Sequence, residues 1–349
     1  MFKFLSRFGR DVGIDLGTSN TEIYLANRGI VVNEATLAAI NNKTGQLVSF
    51  GNEAKKMIGR TPIHIDIVRP IVNGVISDFE ATEAILKNFL KLAGEKDRFL
   101  QFRRAVVAIP ANLTEVERKS VEDVVISAGV SRAYLIDQAL AAALGARLPI
   151  HEPTANMIVD IGAGTTEIAI ISMGGKVISK SLKIAGEKLN EDVIRFIRDE
   201  FRLIIGEPTA EDLKIQIGSA MPLTDKLEMV IQGRDNSNGL PKEVTVRDIH
   251  VRTAISKSLR TIVENIRSVI ESAPPELSGD ILKNGVFICG GTSMLRLLSE
   301  MISRELSVAV HLVDDPKTCV VRGTGVAVER FEEFKEVLTY PYAPRDIKV

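Results

Sequence analysis

The sequence is poor in cysteine: Cys289 and Cys319 are the only two in 349 residues. Neither belongs to a CxxC pair or has a histidine beside it, so zinc and dithiol redox sites have no usual spacing here, and buried, reduced thiols of a cytosolic protein are expected. No charge sign dominates either, with 44 basic against 45 acidic side chains. Without a global field no nucleic-acid partner is expected, and any charged ligand must be recognised locally. No apolar run reaches the ~18 residues of a bilayer span. The opening MFKFLSRFGRD is too short and too charged to hold a secretory h-region. The expectation is a chain that neither crosses a membrane nor is exported through a signal peptide. Finally, there is no GxxxxGK[ST] and no GxGxxG, so any nucleotide site is neither Walker-type nor Rossmann-type.

What is present is an ordinary globular composition, 45% hydrophobic, in a chain long enough for about two domains. Residues 11–40 alternate short β-prone runs with Gly and Asn turns, which predicts an antiparallel meander. SDFEATEAILKNFLKLAGE predicts a helix, RAVVAIP a buried strand, LTEVERKSVEDVVISAG a second helix and AYLI another strand. MIVDIG then restarts the opening pattern, with TTEIAIISMGGKVISKSLKI read as two strands joined by a Gly-Gly turn. Helices are expected over 189–204, from Thr209 to about Gly218, and from Val246 to the Pro274-Pro275 pair, and GVFICGG is read as a strand running straight into a helix that begins TSMLRLL. The pattern is two α/β halves with a duplicated opening. No low-complexity linker separates them, so a cleft is expected where they meet, with the hinge over Ala141 to Ile150.

The chemistry-bearing feature is the repetition itself. DLGTSNT at 15–21 and DIGAGTT at 160–166 each put an aspartate, a small turn and hydroxyls after an apolar strand. Glycine after a strand lets successive N–H groups line an anion site, and hydroxyls add donors. The aspartate repels phosphate but suits a Mg²⁺ that bridges to phosphate oxygens. A third turn, CGGTSMLRLL from Cys289, is read with its hydroxyl at a helix start, where N–H groups favour phosphate or where the glycine backbone admits a flat base. One D-x-G turn alone would be hairpin chemistry; three such turns together indicate a metal-nucleotide site.

These three turns resemble the phosphate and adenosine loops of the actin, sugar-kinase and DnaK superfamily, and the chain is similar over almost its whole length to its bacterial actin family, MreB/Mbl. GRTP (59–62), RPIVNGVISDFEATE (69–83), AAALGARLPI (141–150), FRLIIGEPTAEDLKIQIGSA (201–220), GRDNSNGLPK (233–242) and PPELSGDIL (274–282) carry the likeness in order. The resemblance implies an α/β, actin-like ATPase fold: two duplicated ribonuclease-H-like halves around a nucleotide cleft, each with a small subdomain. In those terms 1–32, 67–145 and 324–349 form subdomain IA, 33–66 IB, 146–182 and 247–323 IIA, and 183–246 IIB. It also implies ATP/ADP with Mg²⁺, and slow hydrolysis coupled to polymerisation. The filaments implied are antiparallel and double, lie on the inner face of the cytoplasmic membrane and organise wall elongation with membrane proteins of the RodZ/MreC/MreD type.

Carried onto this sequence, Asp15 and Asp160 hold Mg²⁺ through water, and Gly17, Thr18, Ser19 and Asn20 form the first phosphate loop. Gly162, Ala163, Gly164 and Thr165 close around the γ-phosphate. Glu211 and Lys214, three apart on one helix face, clasp ribose or base, a pair that without the likeness reads as a solvated ion pair. Gly290, Gly291, Thr292 and Ser293 line the other side. The chain departs from the family at Ala163 and Thr292, each in place of a glycine, and at Gln138, where the family carries the glutamate that orients the attacking water. Glutamine orients water but takes no proton, so with Gln138, Asp160 and Thr165 as the catalytic set, hydrolysis rests on positioning and Mg²⁺ electrostatics.

Two apolar segments stand apart from the core pattern. Phe2, Leu5 and Phe8 share one face of MFKFLSRFG beside Lys3, Arg7 and Arg10, and RFLQF at 98–102, with Phe99 and Leu100, falls where members of the family it resembles have a hydrophobic membrane-inserting loop. The first reads either as a core-packed or disordered end or as a weak interfacial anchor; the resemblance favours the membrane, where polymerisation multiplies weak anchors. Two other readings stand beside the cytoskeletal one: a hydrolysis-poor paralogue that copolymerises with a relative, compatible with Gln138, and a small-molecule kinase of the same superfamily.

Overall fold

The run RDVGIDL puts fully buried Val12 and Ile14 on strand β1 (Arg10–Leu16), which pairs antiparallel with β2 (Asn20–Leu25), itself antiparallel to β3 (Gly29–Ala35). The meander predicted over 11–40 therefore forms, except that its fourth strand, β4 (Ala38–Asn41), leaves for a separate sheet with β5 (Leu47–Phe50) and β6 (Ile65–Val68), in the order β5-β4-β6. Ala39 and Leu37, with Ala54 of helix α1 (Gly51–Lys56), build a small core of their own there. The computed structural model describes residues 10–94 and 102–339.

After a short hairpin of β7 (Ile71–Val72) and β8 (Val75–Ile76), helix α2 (Phe79–Gly94) starts where Asp78 Oδ1 accepts from Ala81 N at 2.9 Å. Its Ile85, Leu86 and Phe89 pack on Ile14, Ile23 and Val107. Strand β9 (Phe102–Ile109), helix α3 (Glu115–Ser127) and strand β10 (Val130–Asp137) follow as the sequence predicts, with β1, β9 and β10 all parallel. Helix α4 (Gln138–Gly145) begins directly at the end of β10.

The second half repeats this plan. Strands β11 (Asn156–Ile161), β12 (Thr166–Ser172) and β13 (Gly175–Leu182) lie in the order β13-β12-β11-β17-β18, matching β3-β2-β1-β9-β10 strand for strand. The turn joining β12 to β13 is Met173-Gly174, not Gly-Gly. Both residues have positive φ, 52° and 76°, the geometry a two-residue hairpin of this hand demands. Helix α5 (Gly186–Phe201) begins three residues before its predicted start and stops at left-handed Arg202, so Leu203–Ile204 form strand β14 instead of a last helical turn. Helix α6 (Glu207–Ile217) is as expected, apart from starting two residues earlier. The polar stretch at 233–243 proves to be the turn of a hairpin, β15 (Glu228–Asp235) with β16 (Pro241–Arg247), whose sparse burial hid it.

Helix α7 (Asp248–Glu271) ends before the proline pair, and Pro275 opens α8 (Pro275–Asn284). Strand β17 (Val286–Cys289) does not run into a helix. It leads to a single 3₁₀ turn, Gly291–Met294, and helix α9 (Leu298–Leu306) starts only after left-handed Leu297. Strand β18 (Val310–Leu312) closes this sheet. Helices α10 (Cys319–Glu329) and α11 (Phe331–Phe334) complete the fold.

Two compact units result. Among described residues the first holds 10–94, 102–153, 171–177 and 317–339, and the second 154–170 and 178–316. In the first, α10 crosses α4 and β1 at backbone distance. A Cβ on Gly13 would stand 2.4 Å from Thr324 Oγ1, and one on Gly323 only 1.7 Å from the carbonyl of Ala141. The Cys319 thiol donates to Ala142 O at 3.1 Å in the same crossing. Cys289 is likewise buried and free, as the sequence predicts for both.

Candidate functional site: twin aspartate-glycine turns

In each unit the candidate residues sit where parallel strands end, the place where open α/β sheets present ligand-binding groups. In the first unit, Asp15 closes β1 in register with Ala108 of β9, and Asp137 of β10 pairs with Ile109. Asp15 and Gln138 therefore leave the sheet at the same end. Asp137 caps α4, its Oδ1 accepting from Ala139 N at 3.0 Å, while Lys176 Nζ bonds Oδ2 at 2.5 Å. The helix that begins with half-buried Gln138 is thus held at its first turn.

The first turn closes through Gly17 N, which donates to Asn20 O at 3.1 Å. A Cβ on Gly17 would lie 2.6 Å from that same oxygen, so only glycine fits. Buried Thr36 ties the turn down: its hydroxyl donates to Gly17 O at 2.7 Å and its N–H to Ser19 O at 2.8 Å. Thr18 Oγ1 accepts from Gly74 N at 3.0 Å, and Asn20 is engaged with Ser19 and Asn33 at 3.1 and 2.8 Å. Of this loop's four residues, then, Asn20 faces its own sheet, whereas the backbone of 17–19 forms the turn.

In the second unit Asp160, 2% exposed, closes β11 in register with Cys289 of β17. Gly162 N donates to Thr165 O at 3.0 Å, the same closure seen at Gly17. The sequence repeat is therefore a repeat of hydrogen bonding. Gly290 takes φ 85° and ψ 161°, a region essentially reserved for glycine, and a Cβ there would lie 2.4 Å from Asp160 Oδ1. The third turn is thereby pressed against the second.

Thr292, which stands where a glycine was expected, is a staple: its hydroxyl donates to Gly162 O at 2.7 Å. Buried Ser293 is spent on Gly290 O at 2.6 Å, cinching the turn into 3₁₀ form. The turn is therefore 3₁₀ and not the start of an α-helix, and the space beside Gly291 is open. Lys214 Nζ donates to Gly186 O at 3.0 Å, and Gly186 N donates to Gly162 O at 3.1 Å. A Cβ at Gly186 would meet Thr292 Oγ1 at 2.6 Å and Lys214 Nζ at 3.4 Å. Gly162, Lys214 and Thr292 are thus brought to one place, with Glu211 one turn before Lys214 on α6. Sequence reasoning missed Gly186 and Thr36; a glycine at a helix start and a threonine between strands carry no distinguishing signal.

Among described residues no group of three or more His, Cys, Asp or Glu could hold a metal. Each of the twin turns follows one carboxylate, Asp15 or Asp160, and a single carboxylate suits a cation that arrives with a ligand's own oxygens. Phe2, Leu5, Phe8, Phe99 and Leu100 lie outside the described residues, and no described helix is long and apolar enough to cross a membrane.

Residues 9–336 match the family described as MreB/Mbl protein. The chain belongs to the MreB/Mbl family. Its relatives there include the cell shape-determining protein Mbl of Bacillus subtilis, 42% identical over 93% of this chain and 98% of the relative. The cell shape-determining protein MreB of Escherichia coli K12 is 39% identical over 95% and 96%. Among solved structures the chain is similar to MreB 5 of Spiroplasma citri bound to AMPPNP, with a TM-score of 0.89, 34% identity and coverage of 94% and 98%. The MamK double helical filament, at TM-score 0.78 and 24% identity, shares the fold alone. MreB/Mbl membership and the duplicated sheets agree on an actin-like α/β fold.

Proposed function

We propose that the protein is a cell-shape-determining bacterial actin that binds ATP with Mg²⁺, hydrolyses it slowly, and polymerises into filaments on the inner face of the cytoplasmic membrane. The observation that carries this reading is the twin Asp-x-Gly turn, closed by the same hydrogen bond at 3.1 and 3.0 Å at the ends of equivalent strands. The similar Spiroplasma citri protein was solved with AMPPNP and with ADP, which supports an adenine nucleotide.

In this reading Gly17 and Gly162 close the turns, and the backbone of Thr18 and Ser19 and of Ala163 to Thr165 donates to phosphate oxygens. Glu211 and Lys214 hold ribose or base opposite the backbone of Gly290 and Gly291. Asp15 and Asp160 are the residues that would hold Mg²⁺, through water, which when bound neutralises charge on the transferred phosphate. Gln138 orients a water by hydrogen bonding and cannot accept its proton, so turnover is slow. The capped start of α4, fixed by Asp137 and Lys176, sets where that amide points.

Membrane attachment is assigned to Phe2, Leu5, Phe8, Phe99 and Leu100, and wall-elongation proteins of the RodZ/MreC/MreD type are the partners; the four subdomains are proposed with the bounds given above. Gln138 also favours a second reading, a hydrolysis-poor subunit copolymerising with a relative. Titration with a fluorescent ATP analogue tests the site. Binding should require Mg²⁺ for full affinity and weaken at least about tenfold in Asp160→Asn, since a lost charge-assisted interaction is worth about 1.5–3 kcal/mol. Equal affinity with and without Mg²⁺, in wild type and variant alike, would refute the assignment.

A further inference from the structure

The end of α6 is tied to the chain that follows the third glycine turn, and one side chain, Arg296, makes the tie. Its guanidinium Nη1 donates to Ile215 O at 2.7 Å and to Gly218 O at 3.4 Å. Its own carbonyl accepts from Ala220 N at 2.8 Å, and its backbone bridges Ser219 in parallel. Carbonyls in the last turn of a helix lack intrahelical partners and carry the negative end of the dipole. A guanidinium there is favoured both as a donor and as a charge.

The segment 218–220 that receives Arg296 is anchored on its other sides. Gly218 N donates to Lys214 O at 3.2 Å, and a Cβ on Gly218 would lie 2.3 Å from that oxygen, so the helix end closes on bare backbone. Ser219 is fully buried, and its hydroxyl accepts from Arg252 Nη1 at 3.4 Å. The same Nη1 donates to buried Asp248 Oδ2 at 2.7 Å, so α7 also holds the segment.

The consequence falls on the residues next in line. Ile215 follows Lys214 directly and stands one helical turn after Glu211. Arg296 stands two residues after Met294, where the third turn ends. Elsewhere the same two elements meet through Gly186 and Gly162: Lys214 Nζ donates to Gly186 O at 3.0 Å, Gly186 N to Gly162 O at 3.1 Å, and the Thr292 hydroxyl to Gly162 O at 2.7 Å. The spacing between α6 and the open backbone at Gly291 is therefore fixed at two points, one of them Arg296. We propose that Arg296 is a positioning residue for the nucleoside: it sets that spacing, and Glu211 and Lys214 reach ribose or base only from it. The role rests on the nucleotide reading above, and the two can fail separately. Arg296 is exposed, so its loss should cost no more stability than the loss of any other exposed cation at a helix end.

The test is a double-substitution cycle, read by titrating the full chain with a fluorescent ATP analogue and Mg²⁺. The chains are wild type, Arg296→Met, Glu211→Ala, those two together, Arg296→Lys, and Arg267→Met as control. The Arg267 guanidinium makes the same kind of bond at the end of α9, donating to Glu305 O at 2.7 Å. Arg296→Met and Glu211→Ala should each weaken binding about tenfold, and the pair about tenfold and not about a hundredfold, because groups that act through one another are not additive. Arg296→Lys keeps one donor and should lose only about threefold. The control should bind as wild type while its melting temperature falls as much as that of Arg296→Met. Wild-type affinity in Arg296→Met overturns the proposal. A matching loss in Arg267→Met marks a general helix-end effect and also overturns it, as do multiplied losses in the pair. If Arg296→Met does not fold, Arg296→Lys takes its place in the cycle, and multiplied losses there overturn the proposal equally. If Glu211→Ala binds as wild type, the clasp on α6 is wrong and the positioning role falls with it. If wild type binds no analogue, the nucleotide reading itself fails.

Discussion

Helix propensity and packing give opposite signs for Gly323→Ala, which makes it a sharp test of the α4–α10 crossing. Gly323 lies inside helix α10, where replacing glycine by alanine ordinarily stabilises by about 0.8–1 kcal/mol. The structure places the new Cβ 1.7 Å from Ala141 O, and the reciprocal Cβ on Gly145 would lie 1.8 Å from Cys319 O. Neither obstacle is the free end of a flexible side chain; both are backbone carbonyls, so the helices must separate. Overpacking of this kind costs about 1–3 kcal/mol, occasionally more. At the upper end of that range the net result is a destabilisation of about 2 kcal/mol, or a fall in melting temperature of about 4–8 °C for a unit of this size. Thermal melting followed by circular dichroism reads it directly. Because α4 starts at Gln138, the hydrolysis rate should change as well. A Gly323→Ala protein that melts higher than wild type would refute the crossing.

Other substitutions probe the site. Thr292→Val removes the hydroxyl that reaches Gly162 O; it should cost about 1 kcal/mol and weaken nucleotide binding, with Thr292→Ser restoring both, as measured by chemical denaturation and fluorescence titration. Gly290→Ala must bear a left-handed backbone and a contact with Asp160, so Mg²⁺-dependent affinity for an ATP analogue should drop at least about tenfold, from strain of about 1–3 kcal/mol. His250 is held below its ordinary imidazole range by burial and by the nearby charge of Arg247. The unfolded chain thus takes up the proton first as pH falls. Stability should be constant above about pH 7.5 and decline as pH drops through 6.5 toward the folded value. His250→Gln should flatten that slope in a melting series.

Legibility in the sequence followed physical cause. The strand-turn units around Asp15 and Asp160 were readable because an apolar run, an acidic end and a glycine each report a local requirement, and the repeat made chance implausible. The 3₁₀ turn at Gly291 to Met294 was not, because it depends on Thr292 and Ser293 bonding to Gly162 and Gly290, and the first of those partners is 130 residues away. Gly323 and Gly325 sit inside a helix for which the sequence carried no reading, since close approach to Ala141 and Tyr24 needs bare backbone there. The β15–β16 hairpin escaped notice because its alternation is carried by few apolar residues, of which only Ile231 and Val246 are buried. Met173 in a left-handed turn has no sequence signature beyond the glycine that follows it.

The central claim is that nucleotide binding at the twin turns drives self-assembly. The most direct measurement is light scattering alongside phosphate release, with ATP and Mg²⁺, at several protein concentrations, for wild type and Gln138→Glu. The account predicts assembly above a critical concentration in both, with phosphate release lagging behind assembly and Gln138→Glu changing mainly the rate of release. Absence of assembly in both, with phosphate released only when small metabolites are added, would contradict it and point to a kinase.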